Sequence, residues 1–552
     1  MLIEEGRING DTTTTDITKK KGGWITFPFI LGSVSGLTLV AGGWYANIIV
    51  YAIQQYNIDP ITSAQIHNVA AGGYNFFPLV AAIIADSFFG SYWLILVSAF
   101  ISLLGAIMFT LSAALPQLRP PLCDPSTLLC KTASSPQTAF LYLTLTLAVI
   151  GLGGTRYLLG SLGANQFDKK EHQRVFFNWF IFSFEMGFVI AFTLIVYVQN
   201  NVSWAIGYGI VVVVNIFSIG LFLSGSPFYR RLIPRGSPFV SIGRVVVASF
   251  RNLNLSTQDH EYFSESTTSR APTSGLRFFN NAALIKIVDT QSSVDPQKSW
   301  RLCSVEEVED LKRMMKPLAI WGAGLLESTI YAVGSNLITV QALLMDRHVG
   351  PHFQIPAGTV YVFALIWTSF LLVILDRILY PLWDKIFCSS LTPLQRVGIG
   401  YFFNMAGMVA YAIIERQRLH LITTHNLLDQ HNAVSPMSVI WLFLPLALLG
   451  TGSALYLPGE VEFYYREFPK SLRTTSTAMT SLRLAVGYYL SIVIVDIVRK
   501  RTSWLPNDIN HGRLDKLYWL VSILGLVNFF IYLTASKLYK SNHNESDIDV
   551  SE

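Results

Sequence analysis

The chain has 552 residues, of which 51% are hydrophobic and only 14% are charged, and its mean hydropathy is +0.43. This composition excludes a set of soluble domains, because so apolar a chain needs lipid as its solvent. The formal net charge is +5, and the basic residues lie mostly in polar connections between apolar runs, where membrane proteins place them. Nucleic acid is therefore not an expected partner, whereas the lipid bilayer is.

Residues 1–25 are polar and include the cluster Lys19, Lys20 and Lys21. They contain no apolar stretch followed by a small-residue cleavage site, so they do not form a removable signal peptide. We expect a cytoplasmic tail here, with the first membrane helix acting as the targeting signal.

Twelve apolar runs follow, each near the roughly 20 residues that a helix needs to cross a bilayer. The expected spans of the first half are 26–54, 66–86, 92–115, 138–163, 176–199 and 204–225. Those of the second half are 317–345, 357–380, 395–415, 435–463, 476–498 and 516–537. The pattern predicts an all-α polytopic membrane protein with six-helix halves at 26–226 and 317–537, and a second cytoplasmic tail at 538–552.

A polar linker at 227–316 separates the two halves. Its Ser/Thr-rich run 256–274 cannot bury enough apolar area to fold in isolation, which predicts a mobile centre. Its ends differ, because residues 242–253 form an amphipathic pattern expected along the membrane face, and residues 304–317 predict a helix capped by Ser304.

The distribution of Lys and Arg predicts that both termini and the linker are cytoplasmic. One basic connection, residues 500–516, departs from the rule because it falls on the opposite side. In this orientation Cys123 and Cys130 share one outward-facing loop. They are expected to form a disulfide, with two free thiols as the alternative; a metal site is weakly indicated, because no His or further Cys lies nearby.

Several ionisable residues lie inside the expected spans, where each costs about 2.5–3.5 kcal/mol on insertion scales and is a functional candidate. They are Arg156, Glu185, Glu327, Glu460, Glu462 and Arg483. We expect them to mark a central polar cavity between the halves, as a carrier needs.

Each of these residues also has a structural interpretation. Arg156 is the candidate for direct substrate binding, but could instead neutralise Glu185 or Glu327, because buried charges are normally paired. Glu327 and Arg483 are candidates for the substrate site or for packing and gating pairs. Tyr331, one turn beyond Glu327, could donate its hydroxyl to a bound anion or simply pack.

Glu460 and Glu462 lie near Arg466 and the cytoplasmic end of their span, which favours a salt bridge that gates the inner mouth. The glycines of GLGGTR (151–156) permit close helix approach. No phosphate loop, Cys/His metal cluster or nucleophile triad occurs where it could work, so neither an enzyme nor a cofactor is expected.

Six motifs carry a resemblance to a known family. They are AAIIADSFFG (81–90), GLGGTRYLLGSLGANQFD (151–168), FFNWFIF (176–182), WRLCSVEEVEDLK (300–312), LTPLQRVGIGYFFNMAGM (391–408) and WLPNDINHGRLDKLYWL (504–520). With them the chain resembles the plant nitrate and peptide transporter family, in the proton-coupled oligopeptide branch of the major facilitators. The resemblance implies a major facilitator fold. It also implies that Asp86 and Gly90, at the turn between spans two and three, have conformational roles.

The departures from the family pattern bear on mechanism. Val34, Leu37 and Thr38 stand where the family usually has a Glu-x-x-Glu-Arg motif that couples transport to protons. Arg156 keeps the positive charge of a usual lysine, and Tyr157 replaces the proline that follows it.

Three further positions differ. Glu185 stands where the family usually has Asn, Tyr331 replaces a histidine that contacts nitrate in one member, and Ser453 replaces a common acid.

The eroded first-span motif resembles the nitrate-excretion subgroup, whose members are plasma-membrane facilitators of nitrate or chloride. The function implied is efflux of a small anion with weak proton coupling, driven by a membrane potential worth about 2.3 kcal/mol per charge per 100 mV. The alternatives are a proton-coupled transporter of another organic anion or a peptide, and a receptor or scaffold that has lost transport.

Overall fold

A computed structural model describes residues 22–58, 60–121, 132–231, 238–253, 262–264, 272–273, 275–285, 300, 302–350, 354–355, 359–428, 433–506 and 509–539. Cys123 and Cys130 lie outside these ranges, so their disulfide stays a prediction. The chain divides into two compact units, Met1–Tyr74 with Ser91–Leu232, and Asn75–Gly90 with Ile233–Glu552.

Helices make up the first unit. They are α1 (Phe27–Tyr45), α2 (Ile48–Tyr56), α3 (Pro60–Ile84, which begins in this unit), α4 (Gly90–Ala114), α5 (Ser135–Ala164), α6 (Lys170–Ile190), α7 (Val196–Asn201) and α8 (Trp204–Ser224). Helix α1 packs against α5, α6 and α8. Close packing of α1 with α6 depends on Gly187, where a Cβ atom would lie 2.6 Å from the carbonyl oxygen of Ser35.

The second unit begins with the last part of α3, from Asn75, and a π-helical segment, Ala85–Phe89, and continues with nine α-helices. They are α9 (Pro238–Arg251), α10 (Val305–Ala323), α11 (Leu325–Leu343), α12 (Val362–Ile374), α13 (Tyr380–Phe387), α14 (Pro393–Thr424), α15 (Phe443–Glu467), α16 (Arg473–Arg501) and α17 (Leu514–Leu538). Helix α14 packs against α15 and α17, and α11 packs against α16. Two short parallel strands, β1 (Met345–Asp346) and β2 (Ser435–Ser438), join the ends of these helices.

Ten helical runs in the described part of the chain are long and apolar enough to cross a membrane. One of them, Val69–Ala114, contains 46 residues and covers two predicted spans; at 1.5 Å per residue a straight helix of that length would measure about 69 Å, twice a bilayer core. It is interrupted at Gly90, whose φ of 74° is not helical. Helix α11 is not among the ten, because Glu327, Asn336 and Gln341 lower its hydropathy. The long run Val69–Ala114 and helix α11 together account for the difference between ten runs and twelve predicted spans.

The predicted all-α membrane fold is thus confirmed, and so is the helix predicted to begin at Ser304. Residues 242–251 belong to α9, and their position along the membrane face stays a prediction. Helix α10 begins with the predicted cap: the side chain of Ser304 accepts a hydrogen bond from the backbone of Glu307, whose carboxylate accepts one from the Ser304 backbone. Residues 275–285 pack against both α9 and α10. Together they enclose a small apolar cluster that includes Val245, Ala283 and Val308.

Candidate functional site

A cavity of about 230 Å³, including the part open to solvent, lies within the first unit. Helices α1, α3, α5 and α6 form its wall. Its lining residues are Val34, Leu37, Thr38, Tyr74, Leu152, Thr155, Arg156, Leu159 and Phe184. The only charged group among them is the guanidinium of Arg156, so the cavity combines an apolar wall with one fixed positive charge.

Three aromatic rings surround the half-buried side chain of Arg156. Its guanidinium carbon lies 4.2 Å from the ring centre of Phe184, 5.0 Å from that of Tyr157 and 5.2 Å from that of Tyr74. Each cation–π contact of this kind contributes about 0.5–2 kcal/mol, more when water is excluded. The rings therefore restrain the guanidinium beside the cavity while leaving it fully charged.

Glu185 lies on α6, one residue after Phe184, and its side chain is buried. Its Oε2 atom has no hydrogen-bond partner among the described residues. An ionised carboxylate in such a place is costly unless a positive charge is near, and the charge of Arg156 acts on it. Arg156 and Glu185 thus lie in the same unit, and their pairing stays a prediction.

A second polar cluster lies within the second unit and centres on Arg483 of α16, which has no exposed surface. Its Nη2 atom lies 2.5 Å from a carboxylate oxygen of Glu460. Its Nη1 atom donates to the carbonyl oxygen of Gly324 at 2.8 Å and to the hydroxyl of Ser328. Both terminal nitrogens of Arg483 are therefore engaged by protein groups, which favours its packing or gating interpretation.

Glu327 and Tyr331 belong to α11 in the same unit. The buried carboxylate of Glu327 accepts a hydrogen bond of 2.7 Å from the amide of Asn404 on α14. The hydroxyl of Tyr331, which is half-buried, bonds the hydroxyl of Tyr361.

The partners of Glu460 and Glu462 differ from the expected pattern. Glu462 pairs with Arg466 at 2.5 Å, as expected, and also with Arg396 at 2.8 Å. Glu460 pairs with Arg483 rather than with Arg466. Glu460 and Glu462 are two residues apart on α15, so their side chains point to different sides of the helix and contact different neighbours.

The turn after α3 is held by one carboxylate. Asp86 Oδ2 accepts hydrogen bonds of 2.7 Å from both the backbone nitrogen and the hydroxyl of Thr475 in the first turn of α16. An acidic group is favourable at a helix N-terminus, because it satisfies free N–H groups and the helix dipole. Gly90 follows in the left-handed φ region that favours glycine.

Comparison with known proteins gives the family. The model of the POT family matches residues 92–511 of the chain. Two proteins of Arabidopsis thaliana, Protein NRT1/ PTR FAMILY 2.7 and Protein NRT1/ PTR FAMILY 2.6, are 43% and 42% identical to it over 98% and 97% of its length, and each match covers 97% of the relative. This chain belongs to the POT family.

A solved structure of the POT family transporter PepTSo has the same fold, with a TM-score of 0.61, 18% identity, and 94% of this chain and 99% of that chain covered. The POT family is one of membrane transporters of small molecules, so this chain is a multi-pass membrane transporter. The matched range includes Arg156, Glu185, Glu327, Glu460 and Arg483.

The sequence interpretation missed several buried polar residues of this POT-family chain. Glu415 and Arg418 form a fully buried ion pair of 2.7 Å on α14, and Arg418 also donates to Asn510 at 2.7 Å. Asn404 and Arg396 were missed as well. The available signal was the charge and amide content of α14, since predicted span nine ended at residue 415, whereas the helix runs to Thr424.

Among the described residues no group of three His, Cys, Asp or Glu side chains is placed to hold a metal ion. The two clusters provide charge, hydrogen bonding and aromatic packing. In the first cluster the guanidinium of Arg156 faces a cavity. In the second cluster the guanidinium of Arg483 pairs with Glu460.

Proposed function

We propose that this POT-family transporter is a facilitator of nitrate, or of a similar small anion such as chloride, that works in the outward direction across the plasma membrane with weak proton coupling. The observation that carries the proposal is the position of Arg156, the charged group on the wall of the cavity in the first unit.

An anion that leaves water needs a fixed positive partner, because burying an unpaired charge is costly. Arg is always protonated and presents planar, paired N–H donors that match a planar oxyanion. The rings of Phe184, Tyr157 and Tyr74 lie around this guanidinium, which supports a preorganised site.

Weak proton coupling is supported by the first helix. Val34, Leu37 and Thr38 line the same cavity as Arg156, and none of them titrates. An anion needs no proton to leave a cell whose interior is negative, because the membrane potential supplies about 2.3 kcal/mol per charge per 100 mV.

Glu185 supports a second candidate, a proton-coupled transporter of another organic anion or of a peptide. Its buried carboxylate, with one oxygen lacking a hydrogen bond among the described residues, is a possible proton acceptor beside Arg156. A receptor or scaffold is disfavoured, since a protein without transport would gain stability by replacing such buried charges with apolar residues.

The deciding experiment measures efflux of labelled nitrate and labelled chloride from preloaded oocytes at two external pH values and one clamped potential. We expect nitrate or chloride efflux above that of uninjected cells, with little change between the two pH values. Efflux that collapses without a proton gradient indicates the Glu185 mechanism. Absence of efflux for both ions, with the protein at the cell surface, contradicts the proposal.

We also infer that both termini are cytoplasmic. This inference rests on the Lys and Arg residues of the other connections. The basic connection 500–516 departs from the rule; in it Lys500 pairs with Asp496 at 2.8 Å and Arg513 with Asp515 at 3.0 Å. The ammonium of Lys516 lies over the ring of Trp504 at 5.7 Å.

A further inference from the structure

Hydroxyl groups of the linker are bonded to a row of carboxylates on α10. Three Ser or Thr side chains from separate parts of the linker each donate to one carboxylate near the start of this helix. The pairs are Ser241 with Glu307, Ser264 with Glu306 (2.8 Å), and Thr273 with Glu309 (3.0 Å to each oxygen). These hydrogen bonds attach polar segments of the linker to the charged first turns of α10.

Thr273 makes the most extensive of these attachments. Besides its hydroxyl, its backbone nitrogen donates to Glu309 at 2.9 Å. The ammonium of Lys312 donates to the carbonyl oxygen of Thr273 at 2.9 Å and to its hydroxyl at 3.2 Å, and it lies 2.7 Å from Glu309. Lys312 is buried, whereas Thr273 is exposed. Thr273 is therefore held by several hydrogen bonds and is still accessible to solvent.

Negative charge is crowded around this attachment. Residues 305–313 contain four acidic and two basic side chains. Burial raises the pKa of Asp310, and the carboxylates of Glu307, Glu309 and Glu306 raise it further. The basic residues nearby are already paired: Lys312 with Glu309, Arg313 with Asp310, and Arg244 of α9 with Glu307 at 3.6 Å. A further anion at Thr273 would meet repulsion that the existing cations do not offset.

We propose that Thr273 is a phosphorylation site whose modification releases the linker from α10. The hydroxyl lies three residues after Arg270, and kinases use charge patterns of this kind to select substrates. In the reaction the γ-phosphoryl group of ATP moves to Oγ1 of Thr273. The bond from that phosphorus to ADP breaks, and the hydroxyl proton passes to the base of the kinase. The proposal requires the linker to be cytoplasmic, as inferred above.

The consequence of phosphorylation follows from the contacts. The modified Oγ1 no longer donates to Glu309, and a dianionic phosphate stands against that carboxylate. Residues 275–285, which begin two residues after Thr273 and cover the cluster around Val245 and Val308, lose their anchor. Helix α10 leads through Gly324 to α11, so the change occurs on the helix that precedes the Arg483 cluster.

The test uses the full-length purified protein, ATP with magnesium and a serine/threonine kinase that selects Arg three residues before its acceptor. Peptide mass spectrometry locates the phosphate, and hydrogen exchange of residues 275–285 reports release. We expect phosphate on Thr273 and exchange roughly tenfold faster, the effect of losing one or two hydrogen bonds.

Three variants separate charge from loss of bonding. Thr273→Val removes the hydroxyl that accepts the phosphoryl group, and hydrogen exchange of residues 275–285 should increase less than on phosphorylation. Thr273→Glu should increase this exchange more than Thr273→Val does. In Glu309→Gln the effect of Thr273→Glu should shrink, because the repelling carboxylate is gone. The neighbouring Ser274→Ala should behave as wild type. A folded protein that is not phosphorylated at Thr273, or one that is phosphorylated with unchanged exchange in 275–285, overturns the proposal.

Discussion

Arg156 is the residue on which the proposed function depends most. Replacing it with Ala removes the charged group from the cavity wall, and we expect most nitrate efflux to be lost while surface expression is kept. Arg156→Lys keeps the charge but loses the planar pair of donors, so partial efflux with an altered nitrate-to-chloride ratio is expected. Tracer efflux and surface labelling in the same oocytes measure both quantities.

The structural interpretation of Arg156 predicts a different result. If Arg156 only neutralises Glu185, its removal leaves a buried carboxylate unpaired and lowers the amount of folded protein. Adding Glu185→Gln should then restore both expression and efflux. Normal nitrate efflux from a well-expressed Arg156→Ala protein contradicts anion binding by this residue.

Arg483 and Glu460 give a prediction about stability rather than about substrate. Arg483→Met leaves the carboxylate of Glu460 buried without its partner, and breaking a buried pair in this way costs about 3–5 kcal/mol. We expect a clear fall in the thermal unfolding midpoint of the purified protein in detergent. The double variant with Glu460→Gln should recover much of the loss, and equal midpoints for the single variant and wild type would show that the pair does not stabilise the fold.

At the scale of elements, the packing of the linker ends is testable through two cysteines. Cys303 is buried where the linker joins α10, and burial, with a further contribution from Glu307, raises the pKa of its thiol to about 12. Cys388, at the end of α13, is exposed. A thiol with a raised pKa has less reactive thiolate at neutral pH.

We therefore expect maleimide to label Cys388 rapidly and Cys303 only after denaturation. The purified protein is labelled before and after denaturant, with the triple variant Cys123→Ser, Cys130→Ser and Cys388→Ser as the control that isolates Cys303. Equal labelling rates for both residues in the native protein would contradict the packing of α9, α10 and residues 275–285 into one cluster.

The turn between α3 and α4 provides a second prediction for an element. Gly90 has a φ of 74° and a ψ of 157°, a region essentially restricted to glycine that costs other residues roughly 1–3 kcal/mol. Gly90→Ala should lower the thermal stability of the protein by about that amount. Gly209→Ala is the matched control, because its added methyl group meets no atom within 4 Å and it lies in the regular helix α8. A Gly90→Ala protein as stable as the control would refute the need for glycine.

The sequence predicts helices well and ion-pair partners poorly, for physical reasons that α10 and α15 illustrate. The cap of α10 at Ser304 was predictable because its donor and acceptor lie three residues apart. Glu460 was assigned to the nearby Arg466, but its partner Arg483 lies on another helix, and no local pattern encodes that contact. Glu462, with Arg466 one turn away, was within reach of local reasoning.

The end of α14 shows the same limit. Charged residues usually mark the end of a span, so the predicted span stopped at Glu415. In the structure Glu415 and Arg418 neutralise each other inside the fold, and the helix continues to Thr424. The remaining nitrogen of Arg418, Nη1, donates to Asn510 far along the chain, and hydropathy alone could not show that contact.

For the whole molecule, the combination of long apolar helices with a few buried charges distinguishes a transporter from an inert membrane anchor. The cavity residues Val34, Leu37 and Thr38 came from a family comparison of single positions, and the structure places all three on the cavity that holds Arg156. Their shared location was not available from spacing, because the first and fifth helices are brought together only by packing. The substrate stays a proposal that flux measurements decide.

The bond between Arg418 and Asn510 also has a consequence for biosynthesis. Arg418 leaves the ribosome 92 residues before Asn510, which corresponds to roughly 5–20 s at ordinary elongation rates. During this interval Arg418 has Glu415 beside it but lacks its third polar contact. Asn510, in the last connection of the chain, therefore completes the hydrogen bonds of Arg418 after the helix that carries Arg418 has been inserted into the membrane. A chain that ends before residue 510 would leave this hydrogen bond unmade, and cellular quality control could detect it.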